Sequence, residues 1–293
     1  MGPFLVVLSA FGFATLGIFG KFAYEAGFGR NEALFWRFGL SLPLLAVLLA
    51  LTRSFPKRTA PFMKAIVLGM VGIGVESSVF FITLQRLGAA LTGIFLYLYP
   101  AFVALISHFF LGERLTRGKG WGVALALVGS VLTAGVVGGA ASGMVSPLED
   151  PVGLLFGVIT GGWYALYILA GNRLTRDENP LTVSAGVTLG SFITFAILTA
   201  MGVIQGSALN GVSGQESWIA VGGLALFATV LPFTTLYAGM KRTGAVQASL
   251  LSTLELVFTV ILAAVFLGEK LTLWQGFGAV LILLSVLLAS ILR

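Results

Sequence analysis

Glu76, Glu255 and His108 lie inside apolar stretches, whereas most other charges fall in the gaps between stretches. Glu76 is mid-way along 64–85, Glu255 is at the middle of 243–267, and His108 is late in 89–111. A charge at membrane depth costs about 3 kcal/mol or more, so each such group needs a reason. A carboxylate there can hold an ammonium group, or exchange a proton for a substrate cation. For both glutamates a polar cavity is a stronger reading than a helix-to-helix hydrogen bond. His108, a candidate for proton coupling, is better read as bonded to nearby backbone at a helix end.

Helical spacing gathers further polar and aromatic groups around these residues. Ser252, Glu255 and Thr259 fall at i, i+3 and i+7 on one face, and Glu76 and Phe80 at i, i+4. Thr160, Trp163 and Tyr167 form a stripe, and Tyr97 and Tyr99 stand beside Pro100. Proline has no N–H, so the carbonyl near position 96 loses its donor and the helix can hinge there. An interrupted helix at membrane depth points to a transporter site. The candidate binding set is therefore Glu76, Phe80, Tyr97, Tyr99, Trp163, Tyr167, Tyr237, Ser252 and Glu255, with Pro100 as hinge. Lys21 and Arg37 are near span ends, where snorkelling to the interface is the expected behaviour. Trp218 and Trp274 read as interfacial anchors.

The elements that must position these residues are apolar helices. Of 293 residues, 58% are hydrophobic and only 10% charged, against about 25% charged in soluble domains. About ten segments are long enough to span a bilayer, at 4–24, 33–52, 64–85, 89–111, 119–138, 152–171, 180–204, 217–240, 243–267 and 273–292. They are continuously apolar rather than alternating, which favours helices over a membrane barrel. The first lacks a basic leader and a cleavage site and reads as a retained span. One histidine and no cysteine leave little for a catalytic metal cluster. No nucleotide-binding or hydrolase motif is present, so an enzyme or a self-contained ATP-driven pump is disfavoured. The basic residues are not gathered into one face, so nucleic acid is not an expected partner.

The chain also repeats itself. Phe110-Leu-Gly-Glu-Arg-Leu-Thr116 returns as Phe266-Leu-Gly-Glu-Lys-Leu-Thr272, an offset of 156. The same offset relates Arg86 to Arg242, Gly88-Ala89 to Gly244-Ala245, and Gly120 and Gly122 to Gly276 and Gly278. Glu113 and Glu269 of this motif read as structural. With a cytoplasmic N-terminus, Arg53, Lys57, Arg58, Lys64, Arg114, Arg117, Lys119, Arg173, Arg176, Lys241, Arg242 and Arg293 fall inside. Only Lys21, Arg30, Arg37, Arg86 and Lys270 fall outside. Five spans per copy is odd, so the second copy enters the membrane upside down. The expected fold is all-α and polytopic, with ten transmembrane helices as two inverted five-helix repeats, 1–138 and 152–293, joined by a linker at 139–151.

Two five-span copies, each with a penultimate helix ending in Leu-Gly-Glu-basic-Leu-Thr, resemble the drug/metabolite transporter superfamily in its EamA-type branch. The likeness covers essentially the whole chain. The first copy keeps the family's mid-helix proline as Tyr99-Pro100; the second has Leu256 after Glu255 instead. Within the branch, the chain is most similar to aromatic amino acid and paraquat exporters of the bacterial inner membrane. The resemblance implies a secondary exporter without cofactors, a monomer or weak homodimer. Its substrates would be small amphipathic metabolites: aromatic or hydrophobic amino acids and flat organic cations. Another metabolite, such as a nucleoside or vitamin, and a non-transporting scaffold are the alternatives.

The charge bias gives a direct test. Both termini should be cytoplasmic, so a periplasm-active reporter fused after Arg293 should stay silent. Activity there would overturn the orientation or the span count.

Overall fold

Hydrocarbon offers no partner to a peptide group, so apolar segments must close their hydrogen bonds internally as helix. The computed structural model, which describes residues 1–113, 116–134, 150–201, 215–268 and 271–291, has helix as its only regular secondary structure over those residues. They are α1 (Gly2–Glu25), α2 (Arg30–Leu51), α3 (Thr59–Val67), α4 (Gly74–Leu96), α5 (Tyr99–Leu111), α6 (Arg117–Thr133), α7 (Pro151–Asp177) and α8 (Pro180–Ala200). Then come α9 (Gln215–Ala225), α10 (Leu231–Thr243), α11 (Ala245–Ser252), α12 (Leu254–Leu267) and α13 (Leu273–Ile291). Wide turns of π-helix, Leu68–Ile73 and Leu226–Val230, join α3 to α4 and α9 to α10. A whole or interrupted helix falls on each of the ten apolar segments. Eight are long and apolar enough to cross a membrane; α6 and the apolar stretch Leu273–Leu288 of α13 are shorter. Most of the 139–151 linker, with Arg114, Glu269, Lys270 and Arg293, lies outside the described residues.

Local sequence sets the helix ends. Pro151 and Pro180 open α7 and α8, where a missing N–H costs nothing. Asn179 caps α8 through Leu181 N–H (2.9 Å), and Asp150 takes the Gly153 N–H of α7 (2.9 Å). Gly112 and Gly268 close α5 and α12 with left-handed φ of 68° and 67°. Gly88 and Gly244 carry φ of 79° and 81° where the chain re-enters helix. Both pairs are 156 residues apart, so the backbone repeats the sequence at the places where only glycine sits without strain.

The chain forms two compact units, and each draws on both ends of the sequence. Unit 1 is Met1–Gly74 with Gly171–Lys241. In it α8 packs on α2, α3 and the first π turn, and α9 packs on α1 and α2. Glycines set these approaches: a Cβ on Gly190 would strike the Ile66 carbonyl, and one on Gly69 the Val187 carbonyl. Phe38 stacks on Phe195 at 5.5 Å. Unit 2 is Val75–Ala170 with Arg242–Arg293. Here α6 lies along α13 with Gly129 against Gly278, and α11 packs on α5, α6 and α13. Gly157 and Gly161 of α7 accept the ring and carbonyl of Phe95.

At the start of α7, Arg86 of α4 also pairs with Asp150 at 3.0 Å. The Gly153 N–H first, then Arg86, holds the Asp150 carboxyl below its ordinary value of 3.8. The pair is partly exposed, so salt screens it. A carboxyl with a lowered pKa adds stability that is complete above its ordinary value. That stability is lost as pH falls through the lowered value. Asp150→Asn should therefore lower the thermal midpoint in detergent at pH 7. The difference from wild type should close as the buffer is taken below pH 3.8. An equal deficit at every pH would show that the charge is not what Asp150 contributes.

Candidate functional site

In unit 2 the chain is broken at two matching places. α4 ends at Leu96 and α5 begins at Tyr99; α11 ends at Ser252 and α12 begins at Leu254. In the first, Pro100 has no N–H for the Leu96 carbonyl, and Leu98 N–H turns back to Phe95 at 3.3 Å. The second has no proline, and it breaks all the same. Thr253 N–H bonds the Leu250 carbonyl (3.2 Å) rather than that of Ser249, and its hydroxyl takes the same oxygen at 2.7 Å. Local hydroxyl bonding of this kind competes with the helical ladder. Tyr99 donates its hydroxyl to the Ser249 carbonyl that the break exposes (3.2 Å).

Around this break stands a row of tyrosines facing a carboxylate. Tyr97 lies 6.3 Å from Tyr99, Tyr99 meets Tyr164 edge-on at 4.7 Å, and Tyr164 stacks on Tyr167 at 5.7 Å. Tyr97 donates a hydrogen bond to the Glu255 carboxylate, and Glu255 also acts electrostatically on Tyr99 and Tyr164. Ser252 bonds the Tyr99 hydroxyl. Glu255 occupies the first turn of α12, where unpaired N–H groups favour negative charge. Glu76, half-buried in the first turn of α4 with Ser77 Oγ at 3.5 Å, acts on Tyr164 as well. Two carboxylates therefore address one phenol. Phenol faces and carboxylates together suit a ring bearing an ammonium group.

The expected residues divide as follows. Tyr97, Tyr99, Tyr167, Ser252, Glu255 and Glu76 join through these contacts, with Pro100 at the first break. Trp163 and Phe80 are half-buried in the same unit. Thr160 spends its hydroxyl on Phe156 and on Thr83 (3.2 Å), and Thr259 bonds the backbone carbonyl of Glu255 (2.8 Å), not its carboxylate. Tyr237 belongs to unit 1, 0% exposed, against Gly171 and Phe233. His108 is exposed at the end of α5, its Nδ1 3.1 Å from the Glu113 carbonyl, which is the backbone bond expected of it. Tyr164 was not in the expected set. The signal for it is spacing: Thr160, Tyr164 and Tyr167 at i, i+4 and i+7 share a face as closely as the stripe through Trp163 does.

Arg37 corrects the snorkelling expectation. It is 7% exposed, within unit 1. Its Nη2 donates to the Ala228 carbonyl and its Nε to Thr229 Oγ1, both at 2.7 Å. Ala228 precedes Pro232 by four residues, so that carbonyl has no helical donor. Ser41, one turn along α2, donates to the Ala225 carbonyl at 3.2 Å, and Ser9 to the Pro232 carbonyl at 2.8 Å. The guanidinium is buried because the second π turn needs its hydrogen bonds.

Comparison with known proteins adds three findings. The sequence profile described as the EamA-like transporter family matches residues 1–135 and 151–291. The chain is 28% identical over 292 residues to the uncharacterized transporter YyaM of Bacillus subtilis (strain 168), covering 97% of this chain and 92% of that one. It is 27% identical over 128 residues to the threonine/homoserine exporter RhtA of Escherichia coli (strain K12), covering 42% and 40%. A crystal structure at 22% identity superposes with a TM-score of 0.80 over 99% of this chain and 96% of that one, a likeness of fold.

The hydrogen bonds at the second break give a stability test. Tyr99→Phe keeps the ring and removes the donor to the Ser249 carbonyl. A buried acceptor left unmade costs about 1–3 kcal/mol. The thermal midpoint in detergent should fall. Equal midpoints for wild type and Tyr99→Phe would remove Tyr99 from the support of the break.

Proposed function

The chain belongs to the EamA-like transporter family and is a membrane transporter rather than an enzyme; from that premise we propose that it exports small amphipathic metabolites, first among them aromatic or hydrophobic amino acids and flat organic cations. The observation that carries this reading is the row Tyr97, Tyr99, Tyr164 and Tyr167 against Glu255. Rings of the substrate stack on the phenols, and its ammonium or cationic centre meets the carboxylate. Trp163 and Phe80 extend the aromatic lining, and Glu76 supplies a second negative charge. Proton exchange at Glu255, Glu76 or His108 is the proposed coupling. The partial likeness to a threonine/homoserine exporter supports a second reading, in which small hydroxylated amino acids share the same carboxylate.

The proposed mechanism is alternating access by two inverted five-helix repeats in a bacterial inner membrane, with both termini cytoplasmic. Its support is the recurrence at 156 residues: the glycine pairs with left-handed φ, the interruptions at Tyr97 and Thr253, and the starts of α6 at Arg117 and α13 at Leu273. The family profile also matches twice, once in each half. Broken helices permit one segment to swing while its neighbour stays packed.

Purified protein in vesicles tests this. Labelled phenylalanine should move, and Glu255→Gln should fold but transport at least tenfold more slowly. Trp163→Ala should weaken apparent affinity by about tenfold, as one lost aromatic contact allows. If folded Glu255→Gln transports at the wild-type rate at every pH, Glu255 has no direct role. If no labelled amino acid or organic cation crosses, the substrate class is wrong.

A further inference from the structure

The α5–α6 and α12–α13 hairpins carry matching exposed apolar side chains and differ in charge. Exposed apolar side chains recur at the same offset on both. Phe110 and Phe266 are 82% and 62% exposed, and Trp121 and Phe277 are 65% and 61%. Leu105 and Phe109 correspond to Ile261 and Val265, likewise exposed. Along α6, Trp121, Ala124 and Val128 make an exposed stripe at helical spacing, and Phe277, Val280 and Leu284 repeat it on α13. Both stripes suit acyl chains.

The residues at the head of each stripe are different. Arg117 stands where α13 has Leu273, Lys119 where it has Gln275, and His108 where α12 has Ala264. In the second hairpin Gln275 closes its own helix start, its Oε1 accepting from Thr272 N–H at 2.9 Å. Lysine has no acceptor and cannot make that bond. Arg117 is exposed and Lys119 half-buried, and neither side chain has a hydrogen bond or ion pair among the described residues. The nearest acid in sequence, Glu113, presents its backbone carbonyl to His108. Arg117, one turn before Trp121, therefore tops an exposed apolar stripe on one hairpin, with Lys119 two residues on, and neither base is present at the matching places of the other hairpin.

We infer that the α5–α6 end binds an anionic phospholipid, its head group on Arg117 and Lys119 and its chains along Trp121, Ala124 and Val128. The site needs no assumption about substrate or direction of transport. Arg117 and hydrocarbon in one line match a lipid better than a free anion, because the apolar stripe begins one turn below that charge.

Native mass spectrometry of the full chain, titrated with phosphatidylglycerol or phosphatidylcholine, tests the inference. Wild type should bind phosphatidylglycerol more tightly, by about fivefold for each basic residue engaged. R117L with K119Q, which installs the residues of the second hairpin, should reduce binding to the phosphatidylcholine level. R117K with K119R should preserve it. L273R should add a second phosphatidylglycerol. Circular dichroism and the thermal midpoint in phosphatidylcholine verify that each variant is folded. No preference in wild type, or full preference in folded R117L/K119Q, overturns the inference. Displacement of phosphatidylglycerol by inorganic phosphate would mean an anion site only, and overturns it too.

Discussion

A peptide carbonyl that loses its helical donor inside a membrane must be given another, and the interruptions in this chain are arranged around that requirement. Pro232 removes the donor of Ala228, and Arg37 supplies one. Thr253 turns its N–H away from Ser249, and Tyr99 supplies one. In each case the donor comes from another helix of the same unit, so repairing the break also fixes how two helices face each other. The polar groups inside this apolar protein are in these instances consequences of the breaks.

This logic separates what could be read in advance from what could not. The apolar segments were legible because about 20 uncharged residues in a row have few other uses. The first interruption was legible because proline announces it. The second was not, because Thr253 breaks the helix by hydroxyl competition, and threonine does this only in some surroundings. Arg37 misled for a related reason. Its position near a span end fits snorkelling, and its true partner is a carbonyl 191 residues away, orphaned by a distant proline. Tyr164 was missed by one position on a helix whose phase the sequence leaves free by about that much. Tyr237 was included by type, and its burial between Gly171 and Phe233 depends on packing that no local pattern encodes.

The carboxylates were legible because they are expensive. Their setting explains how the cost is met. Glu255 begins a helical segment, takes a hydrogen bond from Tyr97, and stands near the phenols of Tyr99 and Tyr164. Such a carboxylate is solvated by the protein in place of water, by dipoles that were fixed when the chain folded. In the function proposed above, a cation arriving there is attracted without waiting for solvent to reorganise.

Tyr99 and Glu255 are separated by 156 residues, the offset that relates the two halves of the sequence. They hold the same place in the recurring sequence, and they interact as unlike partners. Like residues at both places would set two phenols together, with no charge between them, or two carboxylates, each repelling the other. The pairing therefore depends on where the two stretches differ, not on where they agree. Copying either residue onto the other would erase the contrast between them.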